Sequence, residues 1–389
     1  MFLGALVGGI IGDKTGRRNA FILYEAIHIA SMVVGAFSPN MDFLIACRFV
    51  MGVGLGALLV TLFAGFTEYM PGRNRGTWSS RVSFIGNWSY PLCSLIAMGL
   101  TPLISAEWNW RVQLLIPAIL SLIATALAWR YFPESPRWLE SRGRYQEAEK
   151  VMRSIEEGVI RQTGKPLPPV VIADDGKAPQ AVPYSALLTG VLLKRVILGS
   201  CVLIAMNVVQ YTLINWLPTI FMTQGINLKD SIVLNTMSMF GAPFGIFIAM
   251  LVMDKIPRKT MGVGLLILIA VLGYIYSLQT SMLLITLIGF FLITFVYMYV
   301  CYASAVYVPE IWPTEAKLRG SGLANAVGRI SGIAAPYAVA VLLSSYGVTG
   351  VFILLGAVSI IVAIAIATIG IETKGVSVES LSIYAVANK

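Results

Sequence analysis

Four ionisable side chains of this sequence lie inside long apolar segments, where a charge is costly unless it is paired or faces water. They are Glu25, His28, Arg48 and Arg329. Glu25 and His28 are three residues apart, so on a helix they share one face and are a candidate proton relay. Because they lie only one to two turns from the end of their segment, a structural pair is the favoured interpretation. A guanidinium can bind a carboxylate through two hydrogen bonds, so Arg329 is a candidate anion-binding residue, with contact to the loops as the alternative.

The composition excludes a water-soluble protein. Of 389 residues, 57% are hydrophobic and only 12% are charged, about half the charged fraction of ordinary globular domains. The chain is therefore predicted to be an all-α membrane protein with many spans. Its 28 Lys and Arg against 19 Asp and Glu are explained by cationic loops facing anionic lipid, so no nucleic-acid partner is expected. The four cysteines lie in apolar segments without CxxC spacing, so neither a disulfide nor a metal site is predicted.

Ten segments are long enough to cross a bilayer core of about 30 Å, which requires roughly 20 helical residues. The predicted spans are 20–37, 43–65, 82–103, 114–132, 196–221, 232–253, 261–278, 282–308, 323–345 and 348–369. An eleventh apolar stretch, 1–11, covers only some 16 Å at about 1.5 Å per residue. We therefore expect the sequence to begin inside a membrane helix, with about 11 of an expected 12 helices present.

Cations are distributed unequally between the two sides of the predicted membrane. When successive loops are assigned alternately to the two sides, one side holds 24 of the 28 Lys and Arg residues. By the positive-inside rule that side is cytoplasmic, and it includes the loop between helices 6 and 7 and the C-terminus. The longest polar segment, 133–193, combines a charged helical stretch with a proline-rich part and is too poor in apolar residues for a catalytic domain. It is interpreted as a linker with surface helices.

Three loop motifs of the first half recur in the same order in the second half. The matched residues are Gly4 with Gly245, Asp13–Arg18 with Asp254–Lys259, Glu68–Pro71 with Glu310–Pro313, and Pro133–Ser135 with Ile371–Thr373. All three motifs lie on the same side, so the repeat is parallel and each half has an even number of spans. Six helices per half would form two bundles related by an axis along the membrane normal, with a binding site between them near the midplane.

The motifs resemble those of the major facilitator superfamily. Residues 12–18 (GDKTGRR) resemble its signature between the second and third helices, and residues 48–56 (RFVMGVGLG) resemble the RxxxGxGxG pattern of its fourth helix. Residues 133–139 (PESPRWL) are similar to a motif of sugar porters and organic-ion transporters. The resemblance covers nearly the whole chain. It implies the major facilitator fold, with an N-terminal helical bundle (1–132), the linker (133–193), a C-terminal helical bundle (194–372) and a cytoplasmic tail (373–389).

Two features depart from the sugar-porter pattern. The double-Gln motif of the seventh helix is replaced by residues 207–218 (NVVQYTLINWLP), which are closer to carriers of organic acids. The first helix, which carries a proton-binding Asp in the sugar-porter branch, is not found in the sequence. By resemblance, Arg48 would pair with that carboxylate and couple protonation to substrate binding. A purely structural salt bridge is the alternative for Arg48.

Polar and aromatic residues on the helices expected to line the cavity form the candidate substrate site, since amides bind hydroxyls and aromatic faces stack on rings. The candidates are Arg48, Asn87, Trp88, Tyr90, Gln210, Tyr211, Asn215, Trp216, Tyr299, Tyr302, Asn325 and Arg329. We expect about half of them to line the cavity and the others to serve in helix packing or at the membrane interface. Proton coupling is assigned to Arg48, Glu25 and His28.

Paired charges beside helix ends form a candidate cytoplasmic gate, which would latch the two halves in an outward-facing state. Its members are Asp13, Arg17, Arg18, Glu68, Arg75, Glu134, Arg137, Asp254, Arg258, Lys259, Glu310 and Arg319. Each exposed pair contributes at most about 1 kcal/mol, but a network can bias a two-state equilibrium further. The alternative is that the cations only anchor the loops.

The sequence thus predicts a secondary active transporter that moves a small metabolite, sugar-like or an organic acid, across the bacterial inner membrane by alternating access coupled to protons. An uncoupled facilitator and a truncated protein without transport activity are the alternatives. An enzyme is disfavoured because the single His has no cluster of acids around it, and an ATP-driven pump because no GxxxxGK[ST] loop occurs. No cofactor is expected. The expected partners are a small-molecule substrate, protons and the lipid bilayer around a monomer.

Overall fold

The computed structural model describes residues 1–69, 75–164, 166–167, 183–253, 255–313 and 316–374, and these residues form helices and no strand. The helices are α1 Phe2–Thr15, α2 Arg17–Ala36, α3 Met41–Tyr69, α4 Arg75–Asn87, α5 Ser89–Leu100, α6 Ala106–Tyr131, α7 Pro136–Ser141, α8 Tyr145–Thr163, α9 Tyr184–Leu187, α10 Gly190–Thr223, α11 Leu228–Met239, α12 Gly241–Val252, α13 Arg258–Ser277, α14 Met282–Cys301, α15 Val308–Glu310 and α16 Lys317–Ile369, with a π-helical turn at Tyr302–Tyr307. Two compact units are formed: Met1–Trp78 with Leu100–Asp175, and Ser79–Gly99 with Gly176–Lys389.

The second unit contains a segment that the sequence assigns to the N-terminal bundle. Ser79–Gly99 groups with the second unit because its aromatic side chains pack there. The ring of Phe84 lies 6.2 Å from that of Phe247, and the ring of Trp88 lies 6.3 Å from that of Phe240. The rest of the predicted N-terminal bundle lies in the first unit.

The first unit is held together by α3, which packs against α1 and α2, and by α6, which packs against α2. A Cβ atom at Gly4 would overlap the backbone of Val53, so glycine is what allows α1 and α3 to approach each other. The rings of Phe21 and Phe132 join α2 to the end of α6 with their centroids 6.1 Å apart. Many apolar side chains of α6 remain exposed, as expected for a helix that faces lipid: Ile119, Leu120, Leu122, Ile123 and Leu127.

The core of the second unit is built around α10. Of the 34 residues of α10, 17 are buried, which is more than the single apolar stripe of a surface helix. It packs along α16 and also contacts α11 and α14. Near its start, the guanidinium of the buried Arg195 donates a hydrogen bond of 3.0 Å to the carbonyl of Ile311. Helix α10 is therefore an interior helix of this unit.

The internal repeat is visible in the helix packing. In the first unit Gly4 of α1 meets the backbone of Val53 on α3, and in the second unit Gly245 of α12 meets the backbone of Thr294 on α14. Both the glycines and their partners are 241 positions apart. The same close approach is thus made by equivalent helix pairs in the two units.

Eight helices in the described part of the chain are long and apolar enough to cross a membrane. One of them, Arg319–Ile369, has 51 residues and is interrupted at Gly347, whose φ of 64° is readily adopted by glycine. At about 1.5 Å per residue it is long enough for two crossings of a core of about 30 Å, in agreement with the predicted spans 323–345 and 348–369. The predicted span 82–103 is instead divided into α4 and α5 at Trp88. The total of eleven spans stays a prediction.

The predicted linker begins with two surface helices, as expected from its charge pattern. Trp138 and Leu139 of α7 pack against Ala148 of α8. The hydroxyl of Ser135 accepts a hydrogen bond from the N–H of Trp138 at 3.3 Å, which caps the N-terminus of α7. The PESPRWL motif therefore forms the turn that leads from α6 into the linker.

Candidate functional site

A cluster of polar and aromatic side chains in the second unit surrounds Tyr297 on α14. The ring of Tyr90 on α5 meets the ring of Tyr297 edge-on, with centroids 5.2 Å apart. Gln210 and Tyr211 of α10 lie within electrostatic reach of the Tyr297 hydroxyl. That hydroxyl is buried and forms no well-aligned hydrogen bond with the residues that the structure describes. Since a buried hydroxyl without a partner is costly, the cluster retains a hydrogen-bonding group that a ligand can use.

The sequence prediction includes Tyr90, Gln210 and Tyr211 but selects Tyr299 on α14 instead of Tyr297. Both tyrosines are 1% exposed, and they differ in their hydroxyls: that of Tyr299 donates to the carbonyl of Val202 at 3.1 Å, so it is already used in core packing, whereas that of Tyr297 is not. Side chains two positions apart on a helix point in directions about 200° apart around the helix axis, so the two tyrosines face different neighbours. The tyrosine-rich run marks the helix, but only its rotational phase shows which tyrosine faces the cluster.

Tyr302, the other tyrosine predicted on this helix, is also a core residue. It is 0% exposed, and its ring stacks on that of Tyr307 with centroids 5.0 Å apart and an interplanar angle of 15°. Both residues belong to the π-helical turn. The hydroxyl of Tyr302, like that of Tyr297, is buried without a hydrogen-bond partner among the described residues, so its contact with a substrate stays a prediction.

Arg329 lies on the part of α16 that packs against α10. The glycines around it allow the two helices to approach closely. A Cβ atom at Gly332 would lie 3.0 Å from the ring of Tyr211, and one at Gly328 would lie 3.1 Å from the amide nitrogen of Asn207. Arg329 itself is half-buried and forms no hydrogen bond or ion pair with any described residue. A guanidinium in a membrane segment is costly without a partner, so Arg329 is available to an anionic ligand.

Some of the remaining predicted substrate residues already form hydrogen bonds within the protein, and others are exposed or half-buried. The side chains of Asn87 and Asn325 donate to carbonyls one turn earlier in their own helices, at 2.7 Å and 2.9 Å. Asn215 and Trp88 are exposed, and Trp216 is half-buried. Their contact with a substrate stays a prediction.

Glu25 and His28 form a pair on α2. Nδ1 of His28 lies 3.4 Å from Oε2 of Glu25, and the two side chains are only 15% and 12% exposed. Gly54 of α3 faces the backbone of His28 at this level, and the hydroxyl of Tyr24 donates to the carbonyl of Gly8 at 3.1 Å. The predicted Glu25–His28 contact is thus present, and its role in proton coupling stays a prediction.

Arg48 lies in a cavity of about 680 Å³ in the first unit, together with Arg111 and Trp110. The guanidinium of Arg111 stacks over the ring of Trp110 at 4.4 Å. Arg48 is exposed and has no hydrogen-bond or ion-pair partner in the described part of the chain. Two cations in one cavity favour an anionic partner, and the predicted coupling role of Arg48 stays a prediction.

Glu134 caps α2 at the end of the first unit. Its Oε1 accepts hydrogen bonds from the backbone N–H groups of Arg17 at 2.7 Å, Arg18 at 3.3 Å and Ser135 at 3.0 Å. A carboxylate at a helix N-terminus is stabilised by these free N–H groups and by the helix dipole. A Cβ atom at Gly16, whose φ is 95°, would overlap this carboxylate, so glycine is required at the turn between α1 and α2.

Glu372 makes the equivalent contacts in the second unit. It accepts hydrogen bonds from the backbone N–H groups of Arg258 at 2.8 Å, Lys259 at 3.1 Å and Lys374 at 3.0 Å. Burial alone would raise the pKa of Glu372, but these three donors and the charge of Arg258 outweigh it and lower the pKa. Glu372 is therefore held ionised as the N-terminal cap of α13.

The side chain of Arg258 links α13 to α15. Its Nε and Nη2 lie 3.1 Å and 3.2 Å from the two carboxylate oxygens of Glu310, and Nη1 donates to the carbonyl of Met253. Arg258 is 6% exposed. The hydroxyl of Thr373 donates to Glu310 at 2.6 Å, so four chain segments meet at this charge pair, in which Arg258 is buried and the Glu310 side chain is 35% exposed.

Other predicted gate residues contribute less to the described geometry. The side chains of Asp13, Glu68 and Arg75, and the whole of Asp254, lie outside the described residues. Arg137 is exposed and Arg319 is half-buried. The gating role of the network therefore stays a prediction, although its charged residues are in place at both helix caps.

Comparison with known proteins explains the repeat, the apolar helices and the charged loops together. The family model of the Major Facilitator Superfamily matches residues 1–336. The chain belongs to this superfamily. It is 45% identical over 383 residues to the inner membrane metabolite transport protein YdjE of Escherichia coli, covering 98% of this chain and 84% of that one. It is 26% identical to the niacin transporter NiaP of Acinetobacter baylyi, covering 98% of this chain and 85% of that one.

A solved structure also has the same fold. The partially occluded, inward-open xylose transporter XylE of E. coli superimposes with a TM-score of 0.75 at 18% identity, covering 97% of this chain and 87% of that one. As a member of the major facilitator superfamily, the chain is a membrane transporter for a small molecule and not an enzyme. YdjE, the relative at 45% identity, is an inner-membrane protein of a bacterium.

Proposed function

We propose that this chain is a secondary active transporter for a small organic acid, and that Arg329 binds the carboxylate of the substrate. The observation that carries the proposal is the half-buried Arg329 guanidinium, which no described residue neutralises. A guanidinium and a carboxylate form two parallel hydrogen bonds. A bound acid would therefore supply the missing partner, whereas a neutral sugar would leave the charge uncompensated.

The cluster around Tyr297 supports a substrate with a polar or aromatic body. Tyr90 offers an aromatic edge or face, Gln210 offers an amide, and the Tyr297 hydroxyl is without a well-aligned partner. These groups suit a ring or a hydroxylated chain attached to a carboxylate. The similarity to a niacin transporter is consistent with a carboxylate substrate for this chain as well.

The test is uptake by proteoliposomes of labelled monocarboxylic acids, including niacin, compared with neutral sugars such as xylose. Arg329→Gln is expected to raise the KM for the carboxylate about ten- to hundredfold, the effect of one charged hydrogen-bonding group, with a smaller effect of Arg329→Lys. Arg161→Gln removes an equal charge from the exposed face of α8 and serves as the matched control. Uptake of sugars alone, or carboxylate uptake unchanged by Arg329→Gln, would overturn the assignment.

We further propose that transport is coupled to protons and that the Glu25–His28 pair takes up the coupling proton. The support is the 3.4 Å contact between two ionisable groups that are 15% and 12% exposed, since such groups within a membrane are rarely without function. Protonation would convert a neutral imidazole beside a carboxylate into an ion pair. Alternating access would then follow from the different packing of α2 in the two charge states.

Proton coupling can be separated from substrate binding by two assays on the same variants. Glu25→Gln and His28→Gln are expected to lose accumulation driven by an inward pH gradient but to retain counterflow, which needs no net proton movement. Ser31→Ala removes a hydroxyl one turn later in α2 that only donates to Ile27, and it should retain both activities. If both variants still accumulate substrate along the pH gradient, the pair is structural.

A further inference from the structure

A basic cavity lies beside the end of α6 in the first unit. It has a volume of about 770 Å³ and is lined by the last residues of α6, the start of α2 and the α7–α8 hairpin. Four cations line it, Arg18, Arg130, Arg144 and Lys150, against two carboxylates, Glu134 and Glu147. No part of the proposed transport site uses this cavity.

Both carboxylates of the cavity are already engaged. Glu134 accepts three backbone N–H groups at the cap of α2. Glu147 is held by Arg144 through two hydrogen bonds of 2.6 Å and 2.7 Å, and this contact lowers the pKa of Glu147. The charge of Glu147 also acts on Lys150, but neither carboxylate is hydrogen-bonded to Arg130 or Lys150 in the described part of the chain.

Three cations of the cavity retain unused hydrogen-bonding capacity. Arg18 donates to the carbonyl of Trp129, but its Nε is buried without a partner in the described chain. Arg130 contacts the ring of its neighbour Tyr131 and forms no ion pair with the described residues. Lys150 forms no hydrogen bond with the described residues. A phosphate oxygen is the kind of acceptor that satisfies such donors.

The position of the cavity connects it with the lipid-facing surface of α6. Leu120 and Leu127 are 58% and 55% exposed, and the helical repeat continues them to Tyr131, which is 70% exposed and lines the cavity. Trp129 is also exposed, and aromatic residues at a helix end mark the level of lipid headgroups. An acyl chain that lies along this stripe would bring its headgroup to the cations.

We propose that this cavity binds the phosphate group of an anionic phospholipid, with Arg18, Arg130 and Lys150 as its ligands. The cation-rich side of the chain faces the leaflet where anionic lipids attract basic segments. The second unit has the equivalent cap, Glu372, but the described chain there has no counterpart of the α7–α8 hairpin.

The test compares nanodiscs of phosphatidylglycerol with nanodiscs of phosphatidylcholine, using the full chain. Phosphatidylglycerol is expected to raise the melting temperature of the wild type and to remain bound in native mass spectrometry. The variant Arg130→Gln/Lys150→Gln should lose this preference, with binding about tenfold weaker. The matched control Arg161→Gln/Lys194→Gln removes the same charge from exposed positions outside the cavity and should retain it.

The following results would overturn the proposal. If both double variants lose the preference for phosphatidylglycerol equally, the lipid responds to the overall surface charge and not to the cavity. If the cavity variant keeps the preference, the cavity is not the binding site. If inorganic phosphate added to the delipidated protein gives the same variant-dependent stabilisation as the lipid, the ligand is a soluble anion and not a lipid. If the double variant folds poorly, Arg130→Gln is compared with Arg130→Lys, and an equal lipid preference in these two excludes the role of Arg130.

Discussion

The two units place a glutamate at the same position, but they surround it differently. Glu134 caps α2 and Glu372 caps α13, each through the first backbone N–H groups of the helix. In the second unit the cap adjoins the Arg258–Glu310 pair, whereas in the first unit it borders a basic cavity formed with the α7–α8 hairpin. The side chain of Glu68, the counterpart of Glu310 in the repeat, lies outside the described residues. The comparison therefore shows that the helix cap is common to both units, while the described neighbours of the cap are an ion pair in one unit and a hairpin with its basic cavity in the other.

Each unit has a glycine at which two of its helices approach closely. We expect a larger side chain at this glycine to destabilise both units equally. Replacing Gly245 by Leu would force α12 away from the Thr294 backbone, and Gly4→Leu would do the same to α1 at Val53. We expect each variant to lose about 3 kcal/mol or more of stability, measured as folded yield and melting temperature in detergent. Gly264→Leu, where a Cβ meets nothing within 4 Å, should be close to neutral. A large loss in only one unit would contradict the equivalence of the two interfaces.

Breaking the Arg258–Glu310 pair of the second unit should reduce stability more than other changes near the two helix caps. Arg258→Gln would leave Glu310 without its guanidinium partner and remove the donor to Met253. We expect a loss of about 2 kcal/mol, since water can reach the Glu310 carboxylate that is left behind, and a smaller loss for Arg258→Lys, which keeps the charge but not the planar fork. Lys259→Gln is the matched control, because Lys259 contributes its backbone N–H to Glu372. If Arg258→Gln has the same melting temperature as the control, the Arg258–Glu310 pair does not stabilise the fold.

How much of this network could be predicted from the sequence depends on the kind of contact. The repeat of Glu134 and Glu372 after equivalent spans correctly brings each glutamate together with a basic loop. The sequence predicts Glu134 and Arg137 as charged members of one gate, whereas the structure shows backbone N–H donors at Glu134, because a helix N-terminus becomes an anion site only once the chain is folded. In the same way, the sequence does not show which of Tyr297 and Tyr299 faces the cluster. Helix α14 is almost wholly apolar, so no polar face indicates how the helix is turned about its axis.

The turn before the capped helix offers a smaller test of the same comparison. The first unit has Gly16 there, with φ at 95° and the Glu134 carboxylate at the place of a Cβ, whereas the second unit has Pro257 with φ at −56°. Gly16→Ala is expected to cost about 1–2 kcal/mol from its backbone conformation, and Pro257→Gly about 0.5–1 kcal/mol from chain entropy. Thermal unfolding measures both. Equal and negligible effects would mean that the two turns are interchangeable.

The charges of the two capping glutamates are expected to have a comparably small effect on stability, and this effect depends on pH. The pKa of Glu372 is lowered in the folded chain, so its contribution to stability is present above the ordinary glutamate pKa of about 4.3 and is lost as the pH falls through the lowered value. Glu372→Gln should therefore cost about 1 kcal/mol near neutral pH and remove part of the loss of stability on acidification. Glu134→Gln should cost a similar amount, because the same number of backbone donors is involved. Melting curves in detergent at about pH 7 and about pH 3.5 measure both effects. A wild type and a Glu372→Gln variant that lose stability in parallel on acidification would show that other carboxylates dominate, and the cap would then act as a neutral hydrogen-bond acceptor only.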